Sequence, residues 1–138
     1  MKPKQAIVLR SDLNMPVGKL IAQGSHASLK VFLDKSLIDT VRYSSIEATP
    51  ELRLSFKIDT EHEFDWLVSD FTKVIFGANT EREILEIYSK AKEANLPCSY
   101  VEDQSRLVFG KLPTITAVAI GPGDGSKIDI IVGDLCPI

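Results

Sequence analysis

The sequence predicts an α/β fold, a three-layer sandwich in which a mixed sheet of four to five strands carries helices on both faces. Short β-branched and apolar runs alternate along the chain with segments of helical periodicity, which is the pattern of α/β proteins. Capping signals mark where two of the helices begin. The length of 138 residues indicates a single domain spanning residues 1–138.

The first half of the chain is expected to contain two strands and two helices. QAIVLR (Gln5–Arg10) is a short β-branched run and is predicted as a buried strand. Pro16 suits the first turn of a helix, which is expected to continue to about Lys35. LRLSFKID (Leu52–Asp59) alternates apolar with polar side chains, which predicts a strand with one wet face. Thr60–Glu63 is a capping box that opens a short acidic helix.

The second half repeats this alternation. TKVIFG (Thr72–Gly77) is predicted as a strand. A second capping box, Thr80–Glu83, starts a helix that is expected to reach about Asn95. CSYVED (Cys98–Asp103) and TITAVAIG (Thr114–Gly121) are predicted as two further strands, and a short helix is expected near the end of the chain.

The glycine-rich run GPGDGS (Gly121–Ser126) has two interpretations. It follows a strand and precedes a helical stretch, where a loop can cradle a phosphate. It matches neither the Walker A pattern nor the dinucleotide fingerprint, and Pro122 removes one backbone N–H donor. A plain turn is therefore the favoured prediction.

Composition excludes several classes of protein. With 44% hydrophobic and 25% charged residues, the chain resembles an ordinary globular domain. No apolar run approaches the ~20 residues of a membrane span, and the apolar run near the N-terminus is too short for a signal peptide. We therefore expect a cytoplasmic protein without a membrane partner. Two cysteines without CxxC spacing and two histidines predict neither a disulfide framework nor a metal site, and no cofactor is expected.

Charge is unevenly distributed along the chain. The net charge is −3, but residues 1–46 contain seven Lys/Arg against three Asp/Glu. This basic N-terminal third could face a phosphate, although so small an imbalance also arises by chance.

The predicted first helix carries a polar stripe. Lys19, Gln23, His26 and Lys30 recur at helical spacing and fall on one side of it. Periodicity alone favours a solvated surface. A lysine beside the free N–H groups of the first helical turn can also bind an anion, and Gly18 lets a ligand approach the backbone closely.

A second polar group ends the strand at Cys98–Asp103. If the strand continues through Glu102 and Asp103, their side chains point to opposite faces, so they do not form a catalytic pair. One of them near Lys19 would make a cation–carboxylate site able to position a water, or a structural salt bridge.

Three stretches together resemble the type 2 peptidyl-tRNA hydrolases. VLRSDLNMPVGKLIAQGSHASL (8–29) is similar to the family signature Val, Arg-x-Asp-Leu, Met, Gly-Lys-x-x-Ala-Gln-x-x-His-Ala, without a gap. EILEIYSKAKEANLPCSYVED (83–103) resembles the family helix that ends in Leu-Pro and leads to a strand ending in Asp. TITAVAIGPGDGSKID (114–129) resembles the family's Thr-x-Thr strand and final helix. The resemblance covers about residues 5–33 and 66–138.

The resemblance implies a mixed four-stranded sheet with helices on both faces, a homodimer, and hydrolysis of the ester that joins a peptide to the 3′ end of tRNA. Lys19 would stabilise the oxyanion or a nearby phosphate, and Asp103 would orient or deprotonate the attacking water. The implied catalytic residues are Lys19, Asp103 and Thr116. The implied residues contacting the acceptor end of peptidyl-tRNA are Arg10, Gly18, Gln23, His26, Ser105, Arg106 and Thr114.

One segment departs from the family pattern. The family run Asp-Ala-Gly-Arg-Thr is replaced here by Asp103-Gln104-Ser105-Arg106-Leu107, so an expected hydroxyl is missing at Leu107. A non-catalytic RNA- or protein-binding module on the same fold is therefore the alternative to a hydrolase.

Overall fold

The computed structural model of the chain describes residues 2–41, 51–104 and 113–138. The elements in chain order are β1 (Pro3–Arg10), α1 (Val17–Lys35), β2 (Leu37–Val41), β3 (Glu51–Ser55), α2 (Glu61–Val68), β4 (Lys73–Ala78), α3 (Glu81–Glu93), β5 (Cys98–Asp103), β6 (Thr114–Asp124), α4 (Gly125–Val132) and β7 (Cys136–Pro137). None of the helices in these ranges combines the length and the apolar character that crossing a membrane requires.

The main sheet is mixed, as predicted, and has five strands in the order β5-β6-β1-β4-β7. β1 pairs in parallel with β4, and the other neighbours pair antiparallel. β1 lies at the centre, and its consecutive residues Ala6 to Leu9 are all buried because both faces of the sheet are covered. The predicted strand at Gln5–Arg10 is thereby confirmed.

Helices cover both faces of the sheet, which confirms the predicted three-layer arrangement. On one face, α3 and α4 pack through Ile84, Ile87 and Ile128 against the alternate side chains of β1. On the other face, α1 packs through Ala27 and Val31 against the intervening side chains. α2 joins α1 on that second face.

The contact between α1 and α2 combines stacked rings with a buried ion pair. The Trp66 ring stacks on Phe32 with centroids 5.8 Å apart, and its indole N–H donates to the Thr72 carbonyl at 2.8 Å. Lys35 Nζ lies 2.8 Å from the Glu63 carboxylate, which is almost entirely buried. α2 is therefore held against α1 by packing of the aromatic rings and by an ion pair. Without Lys35, the Glu63 carboxylate would be a buried, unpaired charge.

Both capping boxes begin helices where predicted. The Thr60 hydroxyl accepts from the Glu63 N–H at 3.2 Å, and the Thr80 hydroxyl accepts from the Glu83 N–H at 3.1 Å. In each case the side-chain oxygen satisfies one of the N–H groups that a helix leaves free at its start.

Two predictions need correction, one of a turn and one of a strand. GPGDGS was expected to be a turn, but Gly121–Asp124 extends β6, because Pro3 and Lys4 of β1 pair with Asp124 and Gly123. Gly121 has φ +93°, and a Cβ there would lie 2.7 Å from the Lys4 carbonyl oxygen, so the strand can bend at this point only with glycine.

The strand expected at Leu52–Asp59 forms over Glu51–Ser55 and lies outside the main sheet. It pairs antiparallel with β2 in a separate two-stranded sheet. β2 and the two-residue β7 were not predicted from the sequence.

Candidate active site

Four polar side chains meet where α1 faces the ends of β5 and β6. Lys19 Nζ lies 2.5 Å from Asp103 Oδ2, and Gln23 Nε2 donates to the same oxygen at 3.0 Å. The Thr116 hydroxyl donates to Gln23 Oε1 at 2.5 Å. Thr116, Gln23 and Asp103 are buried, whereas Lys19 is half-buried and reaches solvent. The Asp103 carboxylate is therefore held by buried Gln23 on its protein side, and the Lys19 ammonium is the part of the cluster that solvent can reach.

The fold brings these residues together from three elements, α1, β5 and β6. Lys19 and Gln23 are four residues apart and therefore lie on the same side of α1. Asp103 is the last residue of β5 and pairs with Thr114, while Thr116 lies farther along β6. The side chain of Glu102 is exposed and that of Asp103 is buried, which confirms that these neighbours face opposite sides.

The hydrogen-bond partners determine how the Gln23 amide is oriented. An amide offers two N–H donors on one side and a carbonyl acceptor on the other. The carboxylate of Asp103 can only accept when ionised, so the amide nitrogen must face it, and the oxygen then receives the Thr116 hydroxyl. Gln23 therefore links Thr116 to Asp103, and the hydrogen bond from Thr116 fixes the orientation of the amide that holds the carboxylate.

Arg10 is held inside the protein by its neighbours. Its guanidinium donates to both carboxylate oxygens of Asp12, at 2.9 and 2.6 Å, and to the Ile115 carbonyl at 3.1 Å. These hydrogen bonds lower the pKa of the Asp12 carboxyl, outweighing the opposing effect of partial burial. The Ile115 N–H donates in turn to Glu81 at 3.2 Å, so both backbone groups of Ile115 are tied down. This arrangement fixes the start of β6 beside the site.

The remaining residues implied by the resemblance occupy different surroundings. Gly18 lies in the first turn of α1, where an added Cβ would meet no atom within 4 Å. Thr114 is buried opposite Asp103, and His26 is exposed on α1 two turns beyond Lys19. Ser105 and Arg106 lie outside the described residues, as does Leu107.

The described cations of the basic N-terminal third are already paired with carboxylates. The pairs are Lys2–Asp70, Lys4–Asp129, Arg10–Asp12, Lys19–Asp103, Lys30–Asp34 and Lys35–Glu63. A phosphate approaching this surface would have to compete with a carboxylate. Of the six, Lys19 is the cation placed beside the cluster of buried polar groups.

Two contributors to the site were not picked out from the sequence. Asp12 was noted only as part of a motif, although its spacing of two residues from Arg10 in a turn is the signal that could have identified the pair. Glu81 could not have been found in this way, because its contact with Ile115 joins residues 34 positions apart.

Comparison with known proteins gives consistent matches along the chain. The model of the family described as peptidyl-tRNA hydrolase PTH2 matches residues 3–137, a wider range than the two blocks of resemblance. A peptidyl-tRNA hydrolase of Methanocaldococcus jannaschii is 36% identical over 132 residues, covering 96% of each chain. One from Methanothermobacter thermautotrophicus is 36% identical over 134 residues, again covering 96% of each.

A solved structure shares the fold. A protein of unknown function from Agrobacterium tumefaciens superposes with a TM-score of 0.55 at 12% identity, covering all of this chain and 98% of the other. At this identity the likeness concerns the architecture alone.

Proposed function

Since this chain belongs to the peptidyl-tRNA hydrolase PTH2 family, we propose that it hydrolyses the ester between a peptide and the 3′ end of tRNA, with Lys19 and Asp103 acting on oxyanion and water. The contact of Lys19 Nζ with Asp103 Oδ2 at 2.5 Å is the observation that carries the mechanism. It places a cation and a carboxylate together at the open side of an otherwise buried polar cluster.

Asp103 is suited to receive the proton of the attacking water. Its carboxylate has about four lone-pair positions, so a water can bind beside the Lys19 and Gln23 donors. As the water oxygen attacks the ester carbonyl carbon, one of its protons passes to Asp103. Asp103 returns that proton to the 3′ oxygen when the carbon–oxygen bond breaks. The products are a peptide with a free carboxyl group and a tRNA with its 3′ hydroxyl.

Lys19 supplies the charge that the transition state needs. Attack on the carbonyl moves negative charge onto its oxygen, and a preorganised donor at that oxygen stabilises the charge more than it stabilises the substrate. The Lys19 ammonium is partly exposed, so it can turn from Asp103 toward the developing oxyanion while staying beside the base. Gln23 and Thr116 are positioning residues that keep Asp103 in place during this exchange.

The acceptor end of the tRNA approaches from the N-terminus of α1. Gly18 allows its backbone close to the first helical turn, and the free N–H groups there attract phosphate. Exposed His26 adds to the proposed contact surface, and the family resemblance adds Ser105 and Arg106 as expected contacts, whereas buried Thr114 and partly buried Arg10 support the strand ends beneath it. Binding to tRNA should weaken with rising salt, because released counterions supply much of the affinity. The protein works in the cytoplasm, where translation provides its substrate.

The test is release of labelled peptide from peptidyl-tRNA by wild-type, Lys19→Ala and Asp103→Asn proteins. Loss of a general base costs about 10²- to 10⁴-fold in rate, and we expect each variant to fall in that range. Lys90→Ala is the matched control, since Lys90 is exposed on α3, across the sheet from the site. A folded wild-type protein that binds tRNA without cleaving the ester would instead be a non-catalytic binding module.

A homodimer is proposed from the apolar surface beside α1. A groove of about 760 Å³ opens between α1 and α2 over the sheet. Its lining includes Ile7, Leu20, Phe32, Trp66 and Ile75. Val17 and Ile21 of α1 stand at its border and are more than half exposed. The groove and the exposed Val17 and Ile21 belong to one apolar surface. In a dimer with a two-fold axis, Val17 and Ile21 of each copy can therefore pack into the groove of the other.

Sedimentation of wild-type and Ile21→Glu proteins tests the dimer. A charge at this position would be buried between the two copies, so the variant should sediment as a monomer. The control is Ile130→Glu, because Ile130 is also exposed, even more than Ile21, but lies on α4, on the opposite face. Wild-type protein that sediments as a monomer would contradict the proposal.

A further inference from the structure

Among the residues that the structure describes, no strand pairs with the outer side of β5 at the edge of the main sheet. β5 is the terminal strand of the sheet formed by the described residues and pairs there only with β6. A polar groove of about 430 Å³ follows this edge. Its lining includes Lys30, Asp34 and Ser99 from the α1 side of the strand and Tyr88, Tyr100 and Glu102 from the α3 side. A groove lined from both faces of a strand must run along the strand's backbone.

This edge leads directly into the site. Asp103 is the last residue of β5, and the groove extends along the same strand to Ser99. The Ser99 hydroxyl hydrogen-bonds to the Asp34 carboxylate, and Lys30 Nζ donates to Ser99 at 3.3 Å. Side chains of α1 therefore contact β5 near both of its ends, at Ser99 and at Asp103. These contacts fix the position of the edge backbone.

Resting on the proposed function, we infer that the peptide of peptidyl-tRNA binds as an added strand along the open edge of β5. The ester carbon belongs to the last residue of that peptide, so the C-terminal residue must lie beside Asp103. The rest of the peptide then runs back toward Cys98, parallel to β5. Alternate residues of an edge strand direct their N–H and C=O groups outward, where an extended peptide can pair with them.

Main-chain pairing suits this substrate because the peptides attached to tRNA differ in sequence. Hydrogen bonds to backbone groups are the same for every residue except proline. An enzyme that must accept any sequence gains affinity from such contacts without selecting side chains. The groove is lined largely by polar side chains from both faces of β5, so varied side chains of the added strand can remain hydrated on either side.

The charges at the edge suit a peptide main chain. Lys30 is paired with Asp34, Glu102 adds a second carboxylate, and Lys92 lies over the Tyr88 ring and acts on Asp34, so these four described charges balance. A phosphate backbone gains its affinity from an excess of cations, which these four residues do not supply. In this arrangement the ester lies at the boundary between the two parts of the substrate. The tRNA extends toward Gly18 and Lys19, and the peptide extends toward Ser99.

The inference predicts that cleavage depends on peptide length. β5 has six residues, which at about 3.3 Å each can pair with roughly three to five peptide residues. Each added main-chain hydrogen bond should raise kcat/KM by about 2- to 10-fold. The gain should stop once the peptide reaches the Cys98 end of the strand.

The experiment compares substrates on one tRNA. We expect N-acetyl-tetrapeptidyl-tRNA to be cleaved at least tenfold faster than N-acetyl-aminoacyl-tRNA. Two further tetrapeptides each carry one backbone N-methyl group, at adjacent positions. Because only alternate residues face β5, one methyl group should remove most of the length advantage and the other should leave it nearly intact.

The outcomes separate this inference from the proposed function. If no substrate is cleaved, the hydrolase proposal fails and the edge-binding inference fails with it. If all are cleaved at equal rates, the enzyme is a hydrolase whose peptide does not pair with β5. Equal loss at both methylated positions would also overturn the inference, because it would indicate steric exclusion instead of strand pairing.

Discussion

Replacing Thr116 with valine tests whether this residue acts through Gln23. The two side chains have nearly the same shape, but valine puts a methyl group where the hydroxyl lies 2.5 Å from Gln23 Oε1. A carbon cannot approach that oxygen closer than about 3.5 Å, so the amide must move by about 1 Å. Gln23 Nε2, now 3.0 Å from Asp103, then loses its alignment with the carboxylate.

The magnitude follows from burial. Thr116 is fully buried and Gln23 is 3% exposed, so solvent does not replace the lost donor. An unsatisfied buried polar group costs about 1–3 kcal/mol, and a displacement of about 1 Å in a catalytic group can cost up to about 100-fold in rate. We expect Thr116→Val to lower the free energy of unfolding within this range and to reduce kcat by about 10- to 100-fold with little change in KM. Thr116→Ser keeps the hydroxyl and should stay within a few-fold of wild type.

The assay is a double-mutant cycle with Gln23→Leu, measured by urea unfolding and by release of peptide from peptidyl-tRNA. If Thr116 acts only through Gln23, then Thr116→Val should have little further effect on kcat once Gln23 is leucine. Additive losses in kcat would refute this reasoning and would show that the Thr116 hydroxyl touches the reacting groups itself.

Three further predictions concern stability. Lys35→Met should lower the free energy of unfolding by about 3–5 kcal/mol, because it leaves the buried Glu63 carboxylate unpaired; adding Glu63→Gln should restore part of the loss in the same denaturant titration. Asp12→Asn should unfold at a lower urea concentration than wild type at pH 6. Arg10 holds the pKa of Asp12 below its unfolded value of about 3.9, so this stabilisation is present above that pH and is lost as the pH falls through the folded pKa; equal differences at pH 2 and pH 6 would contradict it. Gly121→Ala should lower the melting temperature, because a Cβ would lie 2.7 Å from a backbone oxygen at φ +93°; an unchanged melting temperature would show that the bend relaxes freely.

The sequence predicts those elements whose signals are local. β1 is a continuous apolar run, and α2 and α3 begin at threonines whose hydroxyls cap them in the structure. The extension of β6 through Gly121–Asp124 has no local signal, since it depends on pairing with Pro3 and Lys4 more than a hundred residues away. Gly and Pro in that run favour a turn until the partner strand is known.

The candidate site likewise depends on contacts that are local in the sequence and on contacts that are distant in it. Helical spacing places Lys19 and Gln23 on one side of α1, but the residue they meet, Asp103, lies 80 or more positions farther along the chain. Family resemblance named these residues without giving their contacts. Only the structure shows that Gln23 joins Asp103 to Thr116.

The polar stripe of α1 is explained by the direction in which the helix crosses the sheet. Lys19, near its start, contacts Asp103 at the end of β5, and Lys30 contacts Ser99 near the beginning of that strand. The eleven residues of helix between the lysines span about 16 Å, and the four residues of strand between their partners span about 13 Å. α1 therefore runs antiparallel along β5, and one stripe follows the strand from the site to the far end of the groove. Lys19, Gln23 and Lys30 thus contact side chains of β5, whereas His26 is exposed. In the proposed mechanism Lys19 and Gln23 act at the ester, and the contact of Lys30 with Ser99 supports the edge along which we propose that the peptide pairs.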